Sequence, residues 1–173
     1  MTMKTLNWRA MTPQDLAAVH GIAERIHPDF PERPEVFVER LRLYPAGCRV
    51  LASSAPDDPK LYGYLVSHPW HFARPPALDM LLGAIPAPPM HYYIHDIALL
   101  PEAQGTGAAS QAVAWVTGHA AAAQMRDVSL IAVNGSAGFW ERAGFAGVDD
   151  PALRDKLASY SADARYMARM LNG

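Results

Sequence analysis

Polar and apolar side chains alternate along residues 92–99, YYIHDIAL, with Tyr93, His95, Ile97 and Leu99 at period two, the spacing of an extended chain. Pro101 closes the run, because proline has no N–H to give to a ladder. The pattern then becomes helical, since residues 108–123 hold mostly small apolar side chains and no proline. Nearer the start, residues 6–11 alternate as a first strand. Thr12, Pro13 and Asp15 suit the cap, first position and first turn of a helix. Leu16, Val19, His20, Ala23 and Ile26 share one face of that helix, and Pro28 and Pro31 end it. A second helix is predicted over residues 35–43, stopped by PAG at 45–47. Residues 48–53 and 61–68 read as a hairpin around the turn-rich segment APDDP. Residues 69–89 carry prolines at 69, 75, 76, 86, 88 and 89, which exclude a central strand or a long helix. Residues 77–83 have room for one or two helical turns. Residues 128–133 have the pattern of a buried strand and 137–142 of a short helix that Gly144 stops. Phe145 opens a further strand, and residues 165–171 close the chain as another. Strands and helices in this order predict an α/β (α+β) sheet with helices on both faces.

The junction between the central strand and its helix carries the chemistry. Gln104, Gly105, Thr106, Gly107, Ala108 and Ala109 turn directly into the helix, followed by Ser110. A helix start presents amides without intrahelical partners and a partial positive charge, and together with a glycine turn it makes a phosphate cradle. A dinucleotide fingerprint would need a third glycine where Ser110 stands, and a P-loop would need Gly-Lys-Ser/Thr. The run IALLPEAQGTGAASQAV instead resembles the acyl-CoA pyrophosphate loop of GNAT-type N-acetyltransferases, with Gln104, Gly107 and Ala109 filling the Q/R-x-x-G-x-G/A pattern. NGSAGFWERAGF resembles that family's second segment, a helix leading to a Gly-Phe strand start.

The resemblance implies a mixed, mostly antiparallel central sheet of about six to seven strands. It also implies one acyl-CoA N-acyltransferase domain over residues 1–173 and acetyl-CoA as co-substrate. The acetyl group would pass to a primary amine by direct attack in a ternary complex. In the family the central strand splays from its neighbour and pairs with the pantetheine arm, positions held here by Ile97, Ala98 and Leu99. The diphosphate would lie on the amides of 104–109, with Thr106 and Ser110 adding hydroxyls. Alternation places Tyr93, His95 and Ile97 on one face of the strand and Ile94, Asp96 and Ala98 on the other. His95, with an ordinary pKa near 6.5, is the first candidate base, Asp96 the second, and Tyr93 shapes the pocket. Where relatives place a tyrosine as general acid, this chain has Trp140, whose indole is no practical proton donor. Ser136, Tyr93 or water would then supply the proton, or the thiolate would leave unassisted. Asn134 stands one residue out of register with the family asparagine that contacts the coenzyme. The first two helices border the acceptor site in the family, so Phe30, Phe37 and Tyr44 are candidates for its lining, with core packing as the alternative.

Composition removes other classes. The chain has 173 residues, half of them hydrophobic and 18% charged, with net charge −2 and a single cysteine, Cys48. That excludes a disordered chain and a nucleic-acid binder driven by phosphate neutralisation, and it forbids an internal disulfide. No apolar run has the length of a membrane span and residues 1–13 lack a signal-peptide core, so a cytoplasmic protein is expected. His68-x-x-His71 and His91-x-x-x-His95 do not have the geometry of a metal site in an extended segment, and no metal is expected. The proline-rich loop reads as a substrate-side or a subunit contact, which leaves a homodimer open. The competing function is a non-catalytic acyl-CoA-binding sensor or interaction module.

Overall fold

Seven strands form one sheet in the order β1-β2-β3-β4-β5-β7-β6. They are β1 (Leu6–Ala10), β2 (Cys48–Ser53), β3 (Leu61–Pro69), β4 (Tyr92–Leu99), β5 (Asp127–Ala132), β6 (Ala146–Gly147) and β7 (Arg165–Met170). The structure, a computed structural model, describes residues 4–171. Every neighbouring pair is antiparallel except β4 and β5, which run parallel.

Helices α1 (Leu16–Ile26) and α2 (Pro34–Leu43) cover one face. Asp15 accepts a hydrogen bond from the Thr12 N–H at 2.8 Å and pairs with Arg9, which fixes the entry to α1. Val19, Ile22, Phe37 and Leu41 pack there against Val50, Tyr64, Val66 and Ala98. The other face holds α3 (Ala108–Ala122) and α4 (Ala137–Arg142), where Val113, Val116 and Trp140 meet Tyr92, Ile94, Val128 and Leu130. Burial of each such side chain contributes about 1.5–3 kcal/mol.

The expected first strand, hairpin, two helices and central strand–turn–helix are all present. The strand opened at Phe145 is only Ala146–Gly147. A helix absent from the sequence expectation, α5 (Arg154–Tyr160), precedes β7; it buries none of its residues fully, so it lacks an apolar stripe to read. The helical turns expected at 77–83 do not form. One turn bond, Met80 N–H to Ala77 O at 3.2 Å, encloses Asp79 at φ 65°, and the segment is held by contacts to other elements instead.

Candidate active site

β4 pairs with β5 only at Tyr92, Tyr93 and Ile94. Beyond Ile94 the two strands part, leaving one edge of β4 open. Peptide groups of a strand point alternately to its two edges. Leu100 N–H donates to Tyr62 O at 2.8 Å on the β3 side. A Cβ on Gly63 would stand 2.7 Å from Ala98 O, so Ala98 also faces β3. The groups of Ile97 and Leu99 therefore face the gap, and those of Ala98, expected beside them, are turned away from it. Gln104 Nε2 reaches Leu99 O at 3.3 Å.

A cavity of about 440 Å³ opens from this gap. Tyr93, His95, Asp96, Ile97, Leu99, Ala109, Asn134, Ser136 and Trp140 all contribute to its wall. Trp140 is buried, and packs edge-on against Phe139 and Phe145.

The alternation expected across β4 is broken. Val66 pairs with Asp96 but Ser67 with Ile94, so His95 is an extra residue, a β-bulge. The bulge puts His95 and Asp96 on the same side of the sheet instead of on opposite faces. Tyr93, Ala98 and Leu100 share that side, whereas Ile94 and Ile97 belong to the α3 side.

Two carboxylate–imidazole pairs result. His95 Nε2 lies 2.8 Å from Glu32 Oε1, with both side chains under one-tenth exposed. His27 Nε2 lies 2.9 Å from Asp96 Oδ1, although neither His27 nitrogen has an aligned hydrogen-bond partner, so this contact is chiefly electrostatic. Tyr64 donates its hydroxyl to Asp96 Oδ2. Burial opposes ionisation of Asp96, but His27, His95 and the Tyr64 hydroxyl outweigh it and hold the acid below its ordinary pKa. Burial likewise pushes Glu32 up, and His95 more than reverses it, so Glu32 is also held low. For His27 burial pulls down, and Asp96 raises it above the ordinary histidine value. Burial suppresses ionisation of the Tyr93 phenol.

In the turn before α3, whose Ala109 lines the cavity, Gly105 and Gly107 adopt φ of 76° and 84°, the left-handed region that favours glycine. Gly107 caps α3, whose first amides have no carbonyl one turn back to bond. A Cβ at either glycine would meet nothing beyond its chain neighbours within 4 Å, so the space over the turn is open. Thr106 Oγ1 is already bonded to Ala103 O at 2.6 Å, which locks the turn rather than leaving that hydroxyl's proton for a ligand. Ala108 is buried; Gln104, Gly105, Thr106, Gly107 and Ser110 are exposed. Ser110 shares a groove with Phe139, Arg142 and Arg169, two cations to which the sequence reading assigns no role.

Of the three aromatic candidates on the α1–α2 side, only Phe30 reaches the cavity. Phe37 stands edge-on to Tyr64 in the core, and Tyr44 bonds His119 on the α3 side. Sequence reasoning missed His27, Glu32, Leu78 and Tyr160, all of which line the cavity. Each comes from a loop or helix end far from β4 in the chain, and the alternation within β4 carries no signal for them. His68 is buried beside Tyr93 and His95, and desolvation lowers it to about 3. His91 pairs with Asp127 at 2.5 Å.

A family model described as "Acetyltransferase (GNAT) family" matches residues 16–145. No curated protein matches the chain at a significant level. Among solved structures, the loading GNATL domain of CurA from Lyngbya majuscula superposes with TM-score 0.75 at 14% identity, over 96% of this chain and 98% of that one. Ard1 from Thermoplasma volcanium gives 0.72 at 15%, over 97% and 99%. The NatC complex bound to Gag peptide and CoA gives 0.70 at 16%, over 96% and 99%. At these identities the likeness is one of fold, a mixed, mostly antiparallel sheet with helices on both faces.

Proposed function

Because the chain belongs to the acetyltransferase (GNAT) family, we propose that it transfers an acetyl group from acetyl-CoA to a primary amine by direct attack within a ternary complex. Solved relatives that hold CoA are consistent with acetyl-CoA as the co-substrate. The observation that carries the reading is one continuous cavity. It joins the open edge of β4, next to the amide-rich start of α3, to a buried imidazole–carboxylate cluster.

Each residue set has a distinct task. The amides of Gly105, Gly107, Ala109 and Ser110 receive the diphosphate, with Arg142 and Arg169 adding positive charge at the groove. The N–H groups of Ile97 and Leu99 face the pantetheine arm, and one of them polarises the thioester carbonyl. The acceptor arrives as an ammonium ion. His95 takes its proton, and Glu32, 2.8 Å away, stabilises the imidazolium that forms. The neutral nitrogen then bonds to the carbonyl carbon, the carbon–sulfur bond breaks, and the second proton that the nitrogen sheds on becoming an amide passes to solvent. Asp96, with His27 and Tyr64, orients the bulge that presents His95. Tyr93 shapes the pocket. Trp140 packs beside the arm, and Asn134 and Ser136 complete the wall. No phenol replaces the missing tyrosine, since Tyr93 is buried and Tyr160 donates to Pro76 O at 2.7 Å. An alkyl thiol has an ordinary pKa near 8.5, so the thiolate leaves without a strong acid and is protonated by solvent.

We read residues 1–173 as one such domain, acting in the cytoplasm. Burial pushes the Cys48 thiol up to about 12, which makes it inert, and among the described residues no helix is long and apolar enough to cross a membrane. The second reading, a non-catalytic acyl-CoA sensor, is favoured only by Trp140. A thiol-release assay with acetyl-CoA and a panel of primary amines separates them. Turnover with any amine supports transfer; tight CoA binding with no turnover for every amine would establish the sensor.

A further inference from the structure

The acceptor end of the cavity is roofed, acidic and apolar, and each property restricts the amine. It is roofed because three segments meet over it. The rings of Phe30, from the α1–α2 connection, and Tyr160, from α5, approach to 6.4 Å between centroids. The proline-rich loop crosses the same point. Lys156 and Tyr160 donate to Pro75 O and Pro76 O at 2.8 and 2.7 Å on one side. On the other, Asp79 N–H donates to Glu32 Oε2 at 3.1 Å, and Arg33 binds Asp79. Leu78, between these anchors, forms the roof. A polypeptide N-terminus would need an open groove where these contacts stand, and a bulky polycyclic amine would need more than a share of about 440 Å³.

The same end is acidic and lacks a free cation. Glu32 and Asp96 line it, while among the described residues no lysine or arginine does. The nearest guanidiniums are engaged elsewhere. Arg40 is fully buried against Glu39 and Met80 O, and Arg33 is bound to Asp79 at the surface. An acceptor carboxylate would thus be desolvated beside two carboxylates that already engage the only imidazoles there, His95 and His27, with no further cation to receive it, an unfavourable placement. Apart from these acids and the two histidines, the surfaces are apolar: Phe30, Leu78, the Tyr93 ring and the Tyr160 ring. A second ammonium, as in a polyamine, would lie among them or compete with His95 and His27 for the two acids.

We propose that the acceptor is a compact monoamine with an aryl or branched-alkyl body and no carboxylate. The inference rests on the acetyl-transfer reading for its chemistry, but it concerns recognition and is tested by binding as well as by turnover. The full-length chain saturated with coenzyme A is titrated by calorimetry with 2-phenylethylamine, L-phenylalanine, spermidine and an alanine-initiated tripeptide. Thiol release from acetyl-CoA is then measured with the same four. 2-Phenylethylamine is expected to bind, and to be acetylated, at least ~100-fold better than L-phenylalanine, which differs only by the carboxylate. Leu78→Arg, at a half-buried loop position, is expected to improve L-phenylalanine at least ~10-fold and to weaken 2-phenylethylamine. Phe30→Arg serves the same purpose should that variant fail to fold. L-Phenylalanine, spermidine or the tripeptide within ~10-fold of 2-phenylethylamine would overturn the proposal, as would binding of none of the four. Turnover with the tripeptide alone would overturn it and leave acetyl transfer standing. Tight 2-phenylethylamine binding with no thiol release would support it and remove acetyl transfer instead.

Discussion

Replacing Gly107 with valine separates the loop's role in folding from its role in binding. Gly107 caps α3 at φ 84°, and a Cβ there would meet no atom beyond its chain neighbours within 4 Å. The cost to the fold is therefore backbone strain, about 1–2 kcal/mol for a side chain in the left-handed region. For a domain of this size that corresponds to a fall in Tm of roughly 2–8 °C. The effect on binding is larger. The isopropyl group would fill the open space above the first turn of α3, where the diphosphate is placed, and would displace it from about two charge-assisted amide bonds. At about 1.5–3 kcal/mol each, CoA affinity should fall by roughly 10²–10⁴-fold. Isothermal titration with CoA alongside a thermal melt measures both. A folded variant with unchanged CoA affinity would refute the placement of the diphosphate on this turn.

Gly118→Ala supplies the opposite case in the same helix. Gly118 is exposed, has no positive φ and has open space around it, so the variant should gain about 0.5–1 kcal/mol in urea melts and bind CoA unchanged. His95→Gln keeps an N–H for Glu32 but cannot take a proton; kcat should drop about 10²–10⁴-fold with CoA affinity altered little, and an unchanged pH–rate profile would remove His95 from the mechanism. His68, held down at about 3, is neutral in the fold and has an ordinary value near 6.5 when unfolded. Its stabilising contribution is complete above about pH 6.5 and is lost as pH falls toward 3. His68→Phe should therefore flatten the decline in unfolding free energy between pH 6.5 and 4, and an unaltered slope would show that His68 does not cause it. Glu32 and Asp96 are held low, so their contribution is present above an ordinary carboxylate value near 4 and disappears only in stronger acid, a separable window.

Much of the scaffold was legible because it obeys simple periods. α1 and α2 show the 3.6-residue repeat of an element with one buried side, β4 is an apolar extended run that Pro101 closes, α3 is a proline-free run of small apolar residues, and Gly105 and Gly107 stand where the turn needs positive φ. α5 was not legible, since RDKLASY buries no residue fully and covers the sheet only loosely. The bulge at His95 was invisible for another reason. One inserted residue leaves the composition of β4 unchanged, yet it moves Asp96 to the side of His95 and undoes the two-face assignment. The acceptor end was out of reach as well, because Glu32 meets His95 across 63 residues and Tyr160 meets Pro76 across 84. Long-range partners of this kind depend on the packing of whole elements, which no local pattern encodes.

The central claim is that the turn at 105–110 grips a diphosphate while the open edge of β4 guides a thioester toward His95. A crystal structure of the protein with acetyl-CoA or CoA bound tests it most directly. The account predicts diphosphate oxygens within hydrogen-bonding distance of the amides of Gly107, Ala109 and Ser110, the pantetheine arm along Ile97 and Leu99, and the sulfur in the cavity beside Trp140 on the path to His95. Coenzyme bound elsewhere, or a gap between β4 and β5 that stays closed to it, would contradict the account.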